Sequence, residues 1–223
     1  MTTPIGAEPS AAEPGVSNLI HLFADRFMPT AKGPLVYSRT DSNVGVNTET
    51  LATQLIAGAI WGLQESGLAR LEQREDKKLG FVKVHRTHMW PMGDNAATPS
   101  GALDRMVLTL LRATTKHHNP EVGWTEYDLV RALVPKVELP YTWVVGTVLK
   151  DDAAKGYLTT EADKKGKHLV YAAVPDKIAS LAAQASDLAQ RWHAFTQSEP
   201  DMIKPLISHI RTAILGQKET DDS

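Results

Sequence analysis

One arrangement appears twice in this chain, and it limits what the chain can fold into. Residues 51–88 read as an apolar helix, a glycine turn and two short strands around a charged turn, and residues 141–174 repeat that plan. Each helix ends near a glycine, Gly67 or Gly156, and a strand with Leu68 and Leu71, or Tyr157 and Leu158, follows at once. An Asp-Lys-Lys turn comes next (Asp76-Lys77-Lys78; Asp163-Lys164-Lys165). An alternating strand then returns through Phe81, Val82 and Val84, or Leu169, Val170, Tyr171 and Val174. A helix that feeds a β-hairpin with a basic tip is the ending of a winged-helix unit. The pattern predicts an α+β fold, mostly α, with two winged-helix-like units followed by C-terminal helices. Two such endings point to a binding protein, not to an enzyme.

The remaining segments fit around this frame. Residues 1–16 and 216–223 are polar and read as disordered tails, the first without the basic start and apolar centre of a signal peptide. Ser17 is placed to cap a helix running to Phe27, Pro34–Tyr37 suits a short strand, 43–47 reads as a loop, and Thr48 is placed to cap helix 49–66. The Pro/Gly-rich stretch 89–101 divides an N-terminal unit, 17–98, from a C-terminal unit, 99–175. Helices are expected over 101–116, 125–133, 141–155, 176–196 and 201–215, the last two forming a helical segment over 176–215.

Composition narrows the function. The formal net charge is -2, so affinity for an anionic partner must come from a local patch. The chain has no cysteine, which fits a cytoplasmic protein and leaves no thiolate metal site. No apolar run reaches the roughly 18–20 residues that cross a bilayer. His85 and His88 alternate across a strand and do not converge, so no metal site is expected. No phosphate loop, zincin helix or nucleophile elbow is present, and no catalytic residue, cofactor or small-molecule substrate is expected. The acid pairs Asp151-Asp152 and Asp221-Asp222 read as solvated charge, and Trp61 and Trp192 as core.

The hairpins carry the candidate site. The first holds Arg70, Arg74, Lys77, Lys78, Lys83 and Arg86, with His85 and His88; the second holds Lys164, Lys165 and Lys167. Such a basic excess can contact phosphate on a nucleic-acid backbone or on lipid head groups. It can equally be edge-strand charge that keeps a sheet from pairing with another chain. Trp90, beside Pro91, is placed either to anchor a partner or to close the junction between the halves. The helix before the second hairpin offers Tyr141, Thr142, Trp143, Thr147, Lys150, Asp151, Asp152 and Lys155, with no arginine, which is poor equipment for reading a DNA groove. The helix before the first hairpin is nearly uncharged, as a buried helix would be.

The stretch Leu55–Leu63, continued through Gly67-Leu68-Ala69-Arg70-Leu71, resembles the helix and strand of the Golgi phosphoprotein 3 family, which has many bacterial members. Pro99-Ser100-Gly101-Ala102-Leu103-Asp104 and Lys155-Gly156-Tyr157-Leu158-Thr159-Thr160-Glu161 are similar to two further motifs of that family, in the same order over roughly residues 35–215. The resemblance implies a mostly helical, non-catalytic fold with a prominent hairpin. It also implies an adaptor that binds phosphatidylinositol 4-phosphate through a tryptophan and several arginines. The matching helices hold Ile56-Ala57-Gly58 and Val144-Val145-Gly146-Thr147, without arginine, so membrane contact would fall to Arg74, Lys77 and Lys78. The expected function is therefore a non-enzymatic binding or adaptor protein that meets an anionic surface or a protein partner through its hairpins, and a homo-oligomer. A winged-helix transcriptional regulator and a tandem winged-helix scaffold subunit are the alternatives.

Overall fold

The computed structural model describes residues 13–30, 36–38, 45–78, 82–93, 98–113, 122–162 and 169–219; at 36–38, 77, 78, 82 and 169 it describes backbone alone. Along these residues the order is α1 (Val16–Leu22), α2 (Ala24–Phe27), β1 (Val36–Ser38), β2 (Gly45–Asn47), α3 (Thr48–Glu65), β3 (Ala69–Lys78) and β4 (Val82–Pro91). Then follow α4 (Ala102–Arg112), β5 (Trp124–Thr125), α5 (Glu126–Leu133), α6 (Pro140–Ala154), β6 (Leu158–Ala162), β7 (Leu169–Ala173), α7 (Pro175–Ser198) and α8 (Pro200–Leu215). Small antiparallel sheets among many helices make the fold α+β and mostly α, as the sequence predicts.

The two helix–hairpin junctions share one backbone solution. At the end of α3 the amide of Gly67 donates to the carbonyl of Gln64, and that of Leu68 donates to Leu63. At the end of α6 Gly156 donates to Ala153 and Tyr157 to Asp152. Both glycines lie in the left-handed region, at φ 70° and 73°. This pair of bonds with a left-handed glycine satisfies the last carbonyls of a helix and turns the chain sharply. Each hairpin is then closed at its base in the same way: Leu68 O accepts from Met92 N, and Tyr157 O accepts from Val174 N. The hairpins differ in reach, with ten-residue strands in β3 and β4 against five-residue strands in β6 and β7.

The core is built around α3. Leu51, Leu55, Ile56, Ile60, Trp61 and Leu63 are buried, and α3 packs against α1, α4, α6 and α8. The near absence of charge along it follows from this burial on all sides. Gly58 and Gly62, one turn apart, let α1 approach closely. A Cβ on Gly58 would stand 2.0 Å from Ile20 Cδ1, and one on Gly62 would stand 2.6 Å from Val16 Cγ2. Trp61 also packs edge-on against Trp192 of α7, with ring centroids 5.2 Å apart.

Local chemistry corrects several boundaries. The helix expected over 17–27 breaks at Phe23 into α1 and α2, and α1 is capped by Gly15, so Ser17 lies inside it. Residues 45–47 of the expected loop form β2, paired with β1. The cap of α3 is Asn47, whose Oδ1 accepts from Thr50 N at 3.0 Å, and not Thr48. Trp90 lies within β4, not in a connector. The strand β5, just before α5, joins the first hairpin, so the sheet order is β3-β4-β5.

Candidate functional site: the β3–β4 hairpin

The register of the first hairpin sorts its side chains onto two faces. Arg70 lies opposite Trp90, Glu72 opposite His88, Arg74 opposite Arg86 and Asp76 opposite Val84. Side chains two apart in a strand share a face, so Arg70, Glu72, Arg74, Asp76, Arg86, His88 and Trp90 all lie together. The guanidinium carbons of Arg70 and Arg74 stand 4.5 and 4.6 Å from the Trp90 ring. Cations at that distance are attracted to the face of the indole. Trp90 itself is only 9 % exposed. His88 stacks on it, and its ring also lies over Gly123, where a Cβ would stand 2.5 Å from the indole. Gly123 has φ +77° and so serves both a left-handed turn and this close approach.

Carboxylates fix the arginines further. Glu72 accepts from Arg74 Nε at 3.0 Å and from Arg74 Nη2 at 3.1 Å. These charge-assisted bonds hold the Glu72 carboxyl below its ordinary range. Asp76 Oδ2 lies 3.1 Å from His88 Nε2 and 3.8 Å from Arg86 Nε, while His88 Nδ1 donates to Val122 O. The hairpin strands carry Arg70, Arg74, Lys77, Lys78, Lys83 and Arg86 against Glu72, Glu75 and Asp76, a local excess of three positive charges on a chain of net charge -2.

The hairpin thus gathers Arg70, Arg74, Arg86 and Trp90 on one face. Lys83 points to the other face, where Glu75 accepts from it at 2.9 Å. The backbones of Lys77 and Lys78 end β3, and their side chains lie outside the described residues, as do Lys164, Lys165 and Lys167 in full. His85 and His88 fall on opposite faces, the first exposed and the second buried. Among the described residues no group of three or more His, Asp or Glu is arranged to hold a metal ion. Glu72, Asp76 and Gly123 were not legible as site residues, because Glu72 and Asp76 reach the Trp90 face only through the register of β3 against β4, and Gly123 is distant in sequence.

A second polar cluster lies inside the molecule, and it overturns the reading of Asp151 and Asp152 as solvated. Asp152 is fully buried and shares a 2.5 Å hydrogen bond with His21 Nδ1. Asp151 caps the start of α4 by accepting from Ala102 N at 2.9 Å. Asp104, in the first turn of α4, in turn accepts from Ser17 Oγ at 2.8 Å and from Ser17 N near the start of α1. Asn18 uses every polar position it has: it donates to Asp151 and Asp152 and accepts from Gly15 N and Lys155 Nζ. Burial raises the Asp104 and Asp152 carboxyls, against opposing bonds from Ser17 and His21. Burial also acts to raise Asp151, but the Ala102 amide, Asn18 and Lys155 outweigh it and hold the group low. Ser17 and Asp152 show no exposed surface, while the Lys155 and Asp151 side chains keep 7 % and 10 % of theirs.

The helices that would read DNA in a winged-helix regulator are differently disposed. The helix α3 is buried, and α6 turns Asp151, Asp152 and Lys155 inward. Thr142, Trp143, Thr147 and Lys150 line a groove on the outer side of α6 with Leu139, which is 60 % exposed. An adjoining groove of about 300 Å³ runs past Thr48, Glu49 and Leu215. No helix among the described residues is long and apolar enough to cross a membrane.

Fold and site together define a mostly helical α+β protein with a duplicated helix–hairpin junction and an arginine-bearing long hairpin. Compared with family models, with curated proteins and with solved structures, the chain matches none.

Proposed function

We propose that this chain is a non-enzymatic binding or adaptor protein whose long hairpin engages phosphate groups on an anionic surface. The observation that carries the reading is the face on which Arg70 and Arg74 are braced against Trp90 with Arg86 alongside. Bracing lowers the entropy lost when a long side chain closes on an anion. Lipid head groups come first, because the resemblance to the Golgi phosphoprotein 3 family points to a phosphoinositide. Nucleic-acid backbone comes second, since α3 is buried and the exposed side of α6 supplies Lys150 as its cation.

Co-sedimentation with vesicles containing phosphatidylinositol 4-phosphate, vesicles containing phosphatidylserine, and duplex DNA, each at low and high salt, tests this. Binding that falls steeply with salt and is lost on Arg70→Glu/Arg86→Glu supports it. No binding to any of the three, or binding indifferent to the double reversal, refutes it. The exposed Leu139 and Leu215 favour a second reading, a protein partner held through apolar contact. Such binding would change little with salt.

A further inference from the structure

Among the described residues the outer edge of β3 is unpaired in the sheet order β3-β4-β5, and it is ten residues long without a bulge in its register. Because Leu68 O accepts from Met92 N, even-numbered residues of β3 exchange hydrogen bonds with β4. The amides and carbonyls of Ala69, Leu71, Gln73, Glu75 and Lys77 therefore point outward. The far edge of β4 confirms this alternation, since the odd-numbered Thr87 sends its amide away from β3, to Glu126 at 2.9 Å. An edge of this length invites another strand unless something blunts it, and β3 contains no proline to do so.

We propose that β3 pairs with β3 of a second copy of this chain, antiparallel, with Gln73 on the twofold axis. The charge order Arg70, Glu72, Arg74, Asp76 specifies that register. With Gln73 opposite Gln73, Leu71 meets Glu75 and Ala69 meets Lys77 as hydrogen-bonded pairs. Arg70 then faces Asp76, and Glu72 faces Arg74, each twice by symmetry. These are the close, non-hydrogen-bonded positions, where opposite charges attract and like charges repel. A slip that puts Glu72 on the axis sets Glu72 against Glu72 and Arg70 against Arg74. A slip that puts Arg74 there sets Arg74 against Arg74 and Glu72 against Asp76, like against like. Shifting the axis to Leu71 or to Glu75 also sets opposite charges together, Arg70 against Glu72 or Arg74 against Asp76, but both shorten the overlap and the second places Glu75 against itself. Edge charges that served only to repel would have no reason to be self-complementary in one of the two longest registers. The contact is isologous and closes as a dimer with a six-stranded sheet. It does not depend on the anion-binding reading.

Sedimentation velocity over a range of concentrations tests the dimer, with folding of each variant checked by circular dichroism. Wild type sediments as a dimer that dissociates on dilution. Arg74→Glu faces Glu72 with a like charge twice and weakens the dimer by about tenfold or more. The swap Glu72→Arg/Arg74→Glu restores opposite signs and the dimer. Because the chain has no cysteine, one added thiol gives a second readout that needs no charge change. On oxidation Gln73→Cys crosslinks two copies, since its Cα atoms lie about 5.5 Å apart across the axis. Glu75→Cys does not, its two copies being offset by four residues, about 13 Å. A wild type that stays monomeric, a swap as weak as the single reversal, or equal crosslinking at positions 73 and 75 overturns the proposal.

Discussion

Removing the Asp104 carboxylate tests the buried relay of helix caps most directly. Asp104 serves two donors of Ser17, the hydroxyl at 2.8 Å and the amide at 3.4 Å, and Ser17 has no exposed surface on which water could replace it. A buried donor left without an acceptor costs about 1–3 kcal/mol. The hydroxyl falls in the upper part of that range and the longer amide bond at its foot, so Asp104→Ala should cost about 2–4 kcal/mol, a large share of the stability of a domain this size. Asp104→Asn keeps the shape and one acceptor and should cost less. The pair also separates hydrogen bonding from charge. Burial raises the folded pKa of Asp104 above an unfolded value of about 3.9, so the folded state holds the proton more tightly. This group's contribution is complete below the unfolded value and is lost as pH rises through the raised one. Wild type should therefore lose stability relative to Asp104→Asn as pH rises across that window. Urea unfolding followed by circular dichroism at several pH values measures both effects. A cost below about 1 kcal/mol for Asp104→Ala, or a wild-type–Asn difference that does not move with pH, refutes the account.

Three further outcomes follow from the same geometry. Gly67→Ala and Gly156→Ala should each lower stability by about 1–2 kcal/mol in thermal melts, because both force a side chain into the left-handed region. Gly123→Ala should cost more than Gly67→Ala in denaturant titrations, since its Cβ would also meet the Trp90 ring at 2.5 Å, whereas nothing stands within 4 Å of one at Gly67. Glu126→Ala should speed hydrogen exchange at the Thr87 amide and destabilise by about 1–3 kcal/mol, because Glu126 is buried and bonds both that amide and His209.

The repeated junction was legible because its requirements are local. A helix that ends in a left-handed glycine needs Gly67 or Gly156 at a fixed place, and a half-buried strand needs residues that alternate. The burial of α3 was legible in its lack of charge. Asp151 and Asp152 were not, because most of the groups that bond them, Asn18, His21 and the Ala102 amide, lie on α1 and at the start of α4, far away in sequence. Adjacent acids at the end of a helix look the same whether water or Asn18, His21 and Lys155 surrounds them. Trp90 was singled out, but the arginines over it depend on the register of β3 against β4, and a shift of one residue would have put them on the other face. The participation of β5 was hidden for a related reason, since a two-residue strand has no period to detect.

The trans caps have a consequence for how the protein is made. The groups that complete the polar contacts of α1, Asp104, Asp151, Asp152 and Lys155, are translated at least eighty residues after it. At about 5–20 residues per second, that leaves several seconds in which Asn18 and His21 lack their final partners. The polar side of α1 is thus locked long after it is made, and nascent chains stalled before Asp151 should present it to proteases and chaperones.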